Sequence, residues 1–225
     1  MRTPLTIPPG KVALLLIDLQ EEHRQDQRFL ADAFDGVIAN AGRLLEAART
    51  AMMPVYHCAY IVDPAAARPF HPVTPEGRSM FSDASDPLTA ICAEVAPADG
   101  ETLLVKTEAS AFGDGRLAPQ LTARGIEWLI VAGVWTEACV DASVKDALKA
   151  GFRVVVVKDA CGSGTPAMHR IGILNLANRL YGGAVADTDN ACRLIAGSLG
   201  EAWVTPGAVP IRYRWEDAAA IYDGL

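Results

Sequence analysis

The chain has no positive charge to spare: 20 Lys and Arg stand against 27 Asp and Glu, a formal net charge of −7. Binding to nucleic-acid phosphate or to an anionic membrane surface needs a concentrated basic face, and none is visible. Small molecules are therefore the expected partners, with no nucleic acid and no membrane. Long apolar runs are missing as well. The opening MRTPLTIPPGK has no apolar signal core, and no later segment stays apolar for the length of a membrane span. The five cysteines, Cys58, Cys92, Cys139, Cys161 and Cys192, include no CxxC pair and are odd in number, which suits a reducing compartment and predicts a cytoplasmic protein. No glycine-rich phosphate turn follows the first apolar run, where Asp18-Leu-Gln-Glu-Glu stands instead, so a nucleotide- or flavin-binding module is disfavoured and no cofactor is expected. No internal repeat is present.

What the chain does have is a regular alternation of short apolar runs with helical periodicity. Residues 12–17, 55–60, 102–105, 128–132, 152–157 and 183–186 read as buried strands. Helices are expected at 34–51, 88–95, 119–124, 136–151, from Pro166 onward, and at 189–195, with Pro166 at the first helical position and Thr136 as an N-cap. Such an order implies an α/β fold: an open six-stranded parallel sheet with helices on both faces, joined by right-handed crossovers. The length of 225 residues suits one domain over 1–225, with a C-terminal tail from about 205. The tail carries Tyr213 and Trp215 among arginines, a composition that fits a subunit interface or packing on its own domain. Residues 61–87, rich in Pro, Asp, Ser and Gly, read as a long functional loop or a plain insertion.

Parallel sheets bind ligands beyond the C-terminal ends of their strands. Asp18, Lys106 and Cys139 fall there from three different strands. Each alone is also what an ordinary turn residue, a solvated lysine or a buried structural cysteine looks like. Together they supply a base, a cation and a nucleophile. The position of Cys139 in a helix's first turn further predicts a thiolate favoured by unpaired N–H groups and the dipole.

Three ordered motifs carry a resemblance: ALLLIDLQ at 13–20, VKTEASAF at 105–112 and VAGVWTEACV at 131–140, with VVVVKDAC at 154–161 and His169 downstream. The chain resembles the isochorismatase-like cysteine hydrolases, among them nicotinamidases, N-carbamoylsarcosine amidohydrolases, ureidoacrylate hydrolases and biuret hydrolases. The resemblance implies an Asp18–Lys106–Cys139 triad, a cis peptide entering Trp135, and an oxyanion hole made by the backbone N–H groups of Trp135 and Cys139. It implies cleavage of a small amide or ureide in a homodimer or homotetramer. Candidate substrate contacts are Trp135, Phe112, Arg78 and Gln20. An isochorismatase-type vinyl-ether hydrolase and a non-catalytic scaffold of the same fold are the alternatives. Where the family often has Gln-Asn-Asp-Phe, this chain has Gln20-Glu21-Glu22-His23, which predicts a more polar pocket, with His23 either a surface residue or a substrate contact. Metal-binding relatives use an Asp-x-His and a later His; here Asp63-Pro64-Ala65 lacks the middle ligand and leaves only Asp63 and His71, so no metal is expected.

Overall fold

The computed structural model describes residues 2–67, 69–207 and 211–225. The elements, in chain order, are β1 (Arg2–Leu5), β2 (Val12–Ile17), α1 (Glu22–Gln25), α2 (Phe34–Thr50), β3 (Val55–Tyr60), β4 (Thr102–Lys106), α3 (Leu117–Ala123), β5 (Trp128–Val134), α4 (Asp141–Lys149), β6 (Arg153–Gly162), α5 (Pro166–Ala177), β7 (Ala184–Ala186), α6 (Thr188–Ile195), β8 (Gly200–Trp203) and α7 (Ala218–Asp223). All belong to an α/β fold built on one sheet of order β1-β8-β7-β6-β5-β2-β3-β4.

The six expected strands are present and mutually parallel, but the sheet has eight. The two additions form an antiparallel edge, β1 pairing with β8 and β8 with β7. Their reading failed for a physical reason. An edge strand is covered less completely, so Arg2-Thr3-Pro4-Leu5 needs no continuous apolar run and tolerates a proline.

Period-two alternation divides the side chains of the central strands between two cores. Leu14, Leu16, Ile130 and Ala132 face α2 and α6, whereas Ala13, Leu15, Leu129 and Val131 face α3, α4 and α5. The chain runs from β2 outward to β4 and then returns to the other side of β2 as β5. The sheet's switch point therefore lies between β2 and β5, and the crevice beyond their C-terminal ends is where a ligand fits.

Several boundaries differ from expectation. β6 continues through Lys158 and Asp159 to Gly162 because those polar groups find partners: Lys158 Nζ donates to Tyr222 O, and Asp159 accepts from Thr188. The 88–95 helix is two separate 3₁₀ turns, Pro87–Thr89 and Ala93–Val95. Thr136 is not an N-cap. Its hydroxyl donates to Gly162 O and lies 2.8 Å from His169 Nδ1, and Thr136–Val140 forms one π-helical turn before α4 starts at Asp141. The tail packs on its own domain: Ile211, Tyr213, Ile221 and Tyr222 lie against the second core, with Tyr222 Oη 2.9 Å from His169 Nε2. No helix among the described residues is long and apolar enough to cross a membrane.

Candidate active site

β2 leads directly into Asp18, β4 ends in Lys106, and β5 leads through Val134-Trp135 into the turn that carries Cys139. Close approach of β5 to β2 requires a glycine at 133: with φ +134, a Cβ there would meet Ile17 O at 2.1 Å. The next peptide but one, Val134–Trp135, is cis. Asp18 itself has φ +51, a conformation uncommon outside glycine and retained where surrounding structure over-determines it.

The sheet brings Asp18, Lys106 and Cys139 together. Lys106 Nζ donates to Asp18 Oδ2 at 2.7 Å and to the carbonyls of Glu108 and Ala109, each at 3.1 Å, and it sits 4.6 Å above the Tyr60 ring. Both side chains are almost fully buried, at 4 % and 3 % exposure. Burial works against the charge on Lys106, but the neighbouring Asp18 carboxylate outweighs it and holds Lys106 above the ordinary lysine range, so it stays cationic. Burial raises the Asp18 carboxyl above its usual range against the pull of Lys106. With Oδ2 occupied by the ammonium, Oδ1 is buried and has no hydrogen-bond partner among the described residues, which leaves it open to a proton from elsewhere.

The Cys139 thiol differs from expectation. Burial and the adjacent Asp18 push it up to about 12, with Lys106 opposing, so the resting group is a neutral thiol and not a thiolate. The N-terminal field of a helix is weak beside these terms, and the π-helical turn already separates Cys139 from the start of α4. A neutral thiol beside a raised carboxylate suits proton removal during attack rather than before it.

A cavity of about 190 Å³ opens on this group and is lined by Asp18 and Cys139, by the aromatic walls Phe29, Tyr60, Phe81 and Trp135, and by Glu22, His23 and Ser82. Contrary to the expected more polar pocket, its exposed lining is mainly apolar, an aromatic wall rebuilt from elsewhere: Phe29 lies beyond α1, and Phe81 arrives from the 61–87 loop, the two rings 6.2 Å apart. Trp135 is fixed on both sides. Gly164 abuts its ring, where a Cβ would stand 2.6 Å from the indole, and its Nε1–H donates to His23 Nδ1 at 3.2 Å. His23 Nδ1 is also 3.2 Å from Phe29 O, so the ring's tautomer selects between accepting from Trp135 and donating to that carbonyl. His23 is a buried cavity wall and not a surface residue, and burial lowers its pKa to about 4.

Three residues expected at the substrate stand elsewhere. Gln20 is fully buried behind the cavity, its amide exchanging hydrogen bonds with the Tyr60 backbone and donating to Thr89 O. Phe112 packs on the second core with its ring 6.1 Å from that of Phe152. Arg78 lines a neighbouring cavity, where it faces Asp83 at 3.6 Å. Sequence reasoning named none of Phe29, Tyr60, Phe81 and Ser82 individually as lining residues, although Phe81 and Ser82 lie in the 61–87 stretch read as a functional loop, Tyr60 stands at a strand's C-terminal end, and Glu22 belongs to the stretch expected to alter the pocket's polarity. As for metal, Asp63 caps a 3₁₀ turn and His71 bonds Ser79 Oγ, and the described residues contain no group of three or more potential ligands.

The isochorismatase domain model matches residues 12–190. A maleamate amidohydrolase of Pseudomonas putida is 38% identical over 104 residues, which are 46% of this chain and 48% of that protein, so the chain's match spans about half of that relative's length. An N-carbamoylsarcosine amidase of Arthrobacter is 28% identical over 83% of this chain and 72% of its own. Among solved structures, an isochorismatase family protein from Desulfovibrio vulgaris superposes with a TM-score of 0.72 at 29% identity, covering 83% of this chain and 98% of that one. The chain belongs to the isochorismatase family of hydrolases.

Proposed function

We propose that this chain is a metal-independent cysteine amidohydrolase that cleaves a C–N bond of a small carboxamide, ureide or carbamoyl compound through a thioester. The observation that carries the reading is the convergence, at one cavity, of a thiol and a carboxylate that a buried cation holds through Oδ2, with Oδ1 left without a hydrogen-bond partner among the described residues. Asp18 removes the Cys139 proton as Sγ attacks the carbonyl carbon, and Lys106 holds the negative charge that this transfer shifts between the two groups. The carbonyl electrons collect on an oxyanion bound by the backbone N–H groups of Trp135 and Cys139. When the tetrahedral adduct collapses, Asp18 returns the proton to the nitrogen, the C–N bond breaks, and ammonia or an amine leaves. Water then attacks the thioester, giving one proton to Asp18, which passes it to the departing sulfur.

The relatives' names, a maleamate amidohydrolase and an N-carbamoylsarcosine amidase, support amide chemistry over vinyl-ether cleavage. Ammonia release from a panel of small amides and ureides tests the reading, and a panel without turnover by the pure protein sinks it. We extend the proposal to a cytoplasmic homodimer or homotetramer, for which light scattering at micromolar concentration should give at least twice the chain mass. Activity is expected to survive prolonged treatment with a strong chelator, because Asp63 and His71 are committed to local hydrogen bonds. A loss restored by zinc, iron or manganese contradicts that expectation.

Trp135→Ala separates main-chain from side-chain roles. The N–H survives the substitution, whereas the indole wall and its bond to His23 are lost. The ranking of amides should therefore change by about tenfold or more between compounds, while Cys139 still forms an adduct visible by mass spectrometry. Equal loss for every substrate would remove the indole from the pocket's selectivity.

A further inference from the structure

The cavity's charge is lopsided. Its lining contains two carboxyls, Asp18 and Glu22, and among the described residues no lysine or arginine. His23 is neutral and Cys139 is a thiol at neutral pH. Among the described residues Lys106 stands next to this lining, with its donors directed to Asp18 and to the carbonyls of Glu108 and Ala109. Arg28 and Arg78 lie across the wall formed by Glu22, Phe81 and Ser82, in the neighbouring cavity, where Arg28 pairs with Asp26 and Arg78 faces Asp83.

Glu22 is positioned, not incidental. Its side chain is 6% exposed, Oε1 accepts from Ser82 Oγ at 2.6 Å, and Oε2 accepts from Ser82 N at 3.1 Å. Ser82 makes both bonds from a left-handed backbone conformation, φ +48, of the kind found where a local constraint is maintained. His23 Nε2 is 3.8 Å from Oε1, too far for a direct hydrogen bond. A carboxylate has about four lone-pair sites, and Ser82 fills two, so Glu22 keeps acceptor capacity toward the cavity.

We propose that the substrate carries a hydrogen-bond-donating, non-anionic end group that seats against Glu22, and that amides ending in a carboxylate are excluded. This rests on the amidohydrolase reading for which bond is cut, but the charge preference is a property of the cavity. A substrate carboxylate would meet the Glu22 carboxyl, beside an Asp18 already paired with Lys106, in a cavity whose described lining holds no lysine or arginine, and like charges at such contacts oppose binding.

Three short amides built on the same ethylene spacer test the proposal: succinamide, β-alaninamide and succinamate, which end in a donor amide, an ammonium and a carboxylate. Each is measured for kcat/KM on the wild type and, by isothermal titration calorimetry, for binding to Cys139→Ala. Succinamide and β-alaninamide should both exceed succinamate by about tenfold or more in either assay. Glu22→Gln, which keeps the shape and removes the charge, should narrow the gap between β-alaninamide and succinamate several-fold. Succinamate binding as well as the others overturns the proposal, as does an unmoved ratio in Glu22→Gln, or no detectable binding of either non-anionic amide. The two readings fail separately. Binding in the expected order without turnover sinks the amidohydrolase reading and keeps the charge preference, whereas Cys139-dependent turnover that favours succinamate does the reverse.

Discussion

Cys139→Ala is expected to lower turnover by about 10⁴-fold or more, to the detection limit of an ammonia assay, while the far-ultraviolet circular dichroism and the cooperative melt stay close to wild type. The size follows from the role. Loss of one oxyanion donor from such a site costs about 10²–10³, because binding and the remaining donors persist, but loss of the nucleophile removes the covalent step altogether. The fold should tolerate the change because Cys139 is only partly buried, sits at the margin of the second core, and loses a single sulfur atom. Its carbonyl continues to accept from Ser143 Oγ at 2.6 Å, so the turn keeps that anchor. The other cysteines provide an internal control. Cys58 and Cys161 are fully enclosed, with thiols pushed well up by burial, and neither lines the cavity. An active Cys139→Ala protein would end the nucleophilic mechanism. A variant that is inactive and also unfolded would shift the test to Cys139→Ser, which keeps a hydroxyl of similar size in the same place.

Much of the site's address was legible in the chain, and its furnishing was not. Val12–Ile17 and Trp128–Val134 are apolar throughout because both faces of a central parallel strand are covered, and this composition marks their ends, hence the positions of Asp18 and the cysteine turn. Lys106 follows by the same logic, although β4 is an edge strand with Leu103 and Val105 partly exposed. The edge strand β1 and its neighbour β8 lack that signature, being four residues long and of mixed polarity. The cavity walls were less legible still. Phe81 and Ser82 belong to a 27-residue stretch without periodicity, which the isolated bridges Val62↔Asp83 and Val73↔Ser79 fold on itself and the Ser82 bonds to Glu22 tie to the site. Polar residues misled in both directions. Gln20 is drawn inward by unpaired backbone groups of Tyr60 and Thr89, and Glu22 is retained in a buried wall by Ser82, two demands that exist only once distant segments have met.

Lys106→Met should both destabilise the protein, by about 3–5 kcal/mol, and abolish activity. Methionine matches the aliphatic stem but leaves Asp18 as an uncompensated buried carboxylate, and it takes the donor from the Glu108 and Ala109 carbonyls. Asp18 then takes up a proton more readily and ceases to be a base, so stability and catalysis fail for the same electrostatic reason. The pH dependence distinguishes this account from lost packing. An acid whose native pKa is raised binds more protons folded than unfolded between its two pKa values, so stability falls as pH rises through the native value. Removing the cation raises that value further. The Tm deficit of Lys106→Met relative to wild type should accordingly be largest near neutral pH and shrink as acid neutralises Asp18. A deficit that stays constant with pH would show that the two groups are not held as an ion pair. The double variant Asp18→Asn/Lys106→Met completes the cycle. With both charges gone it should be less destabilised than the sum of the single variants by about 0.5–3 kcal/mol, the range for residues in direct contact, while remaining as inactive as either.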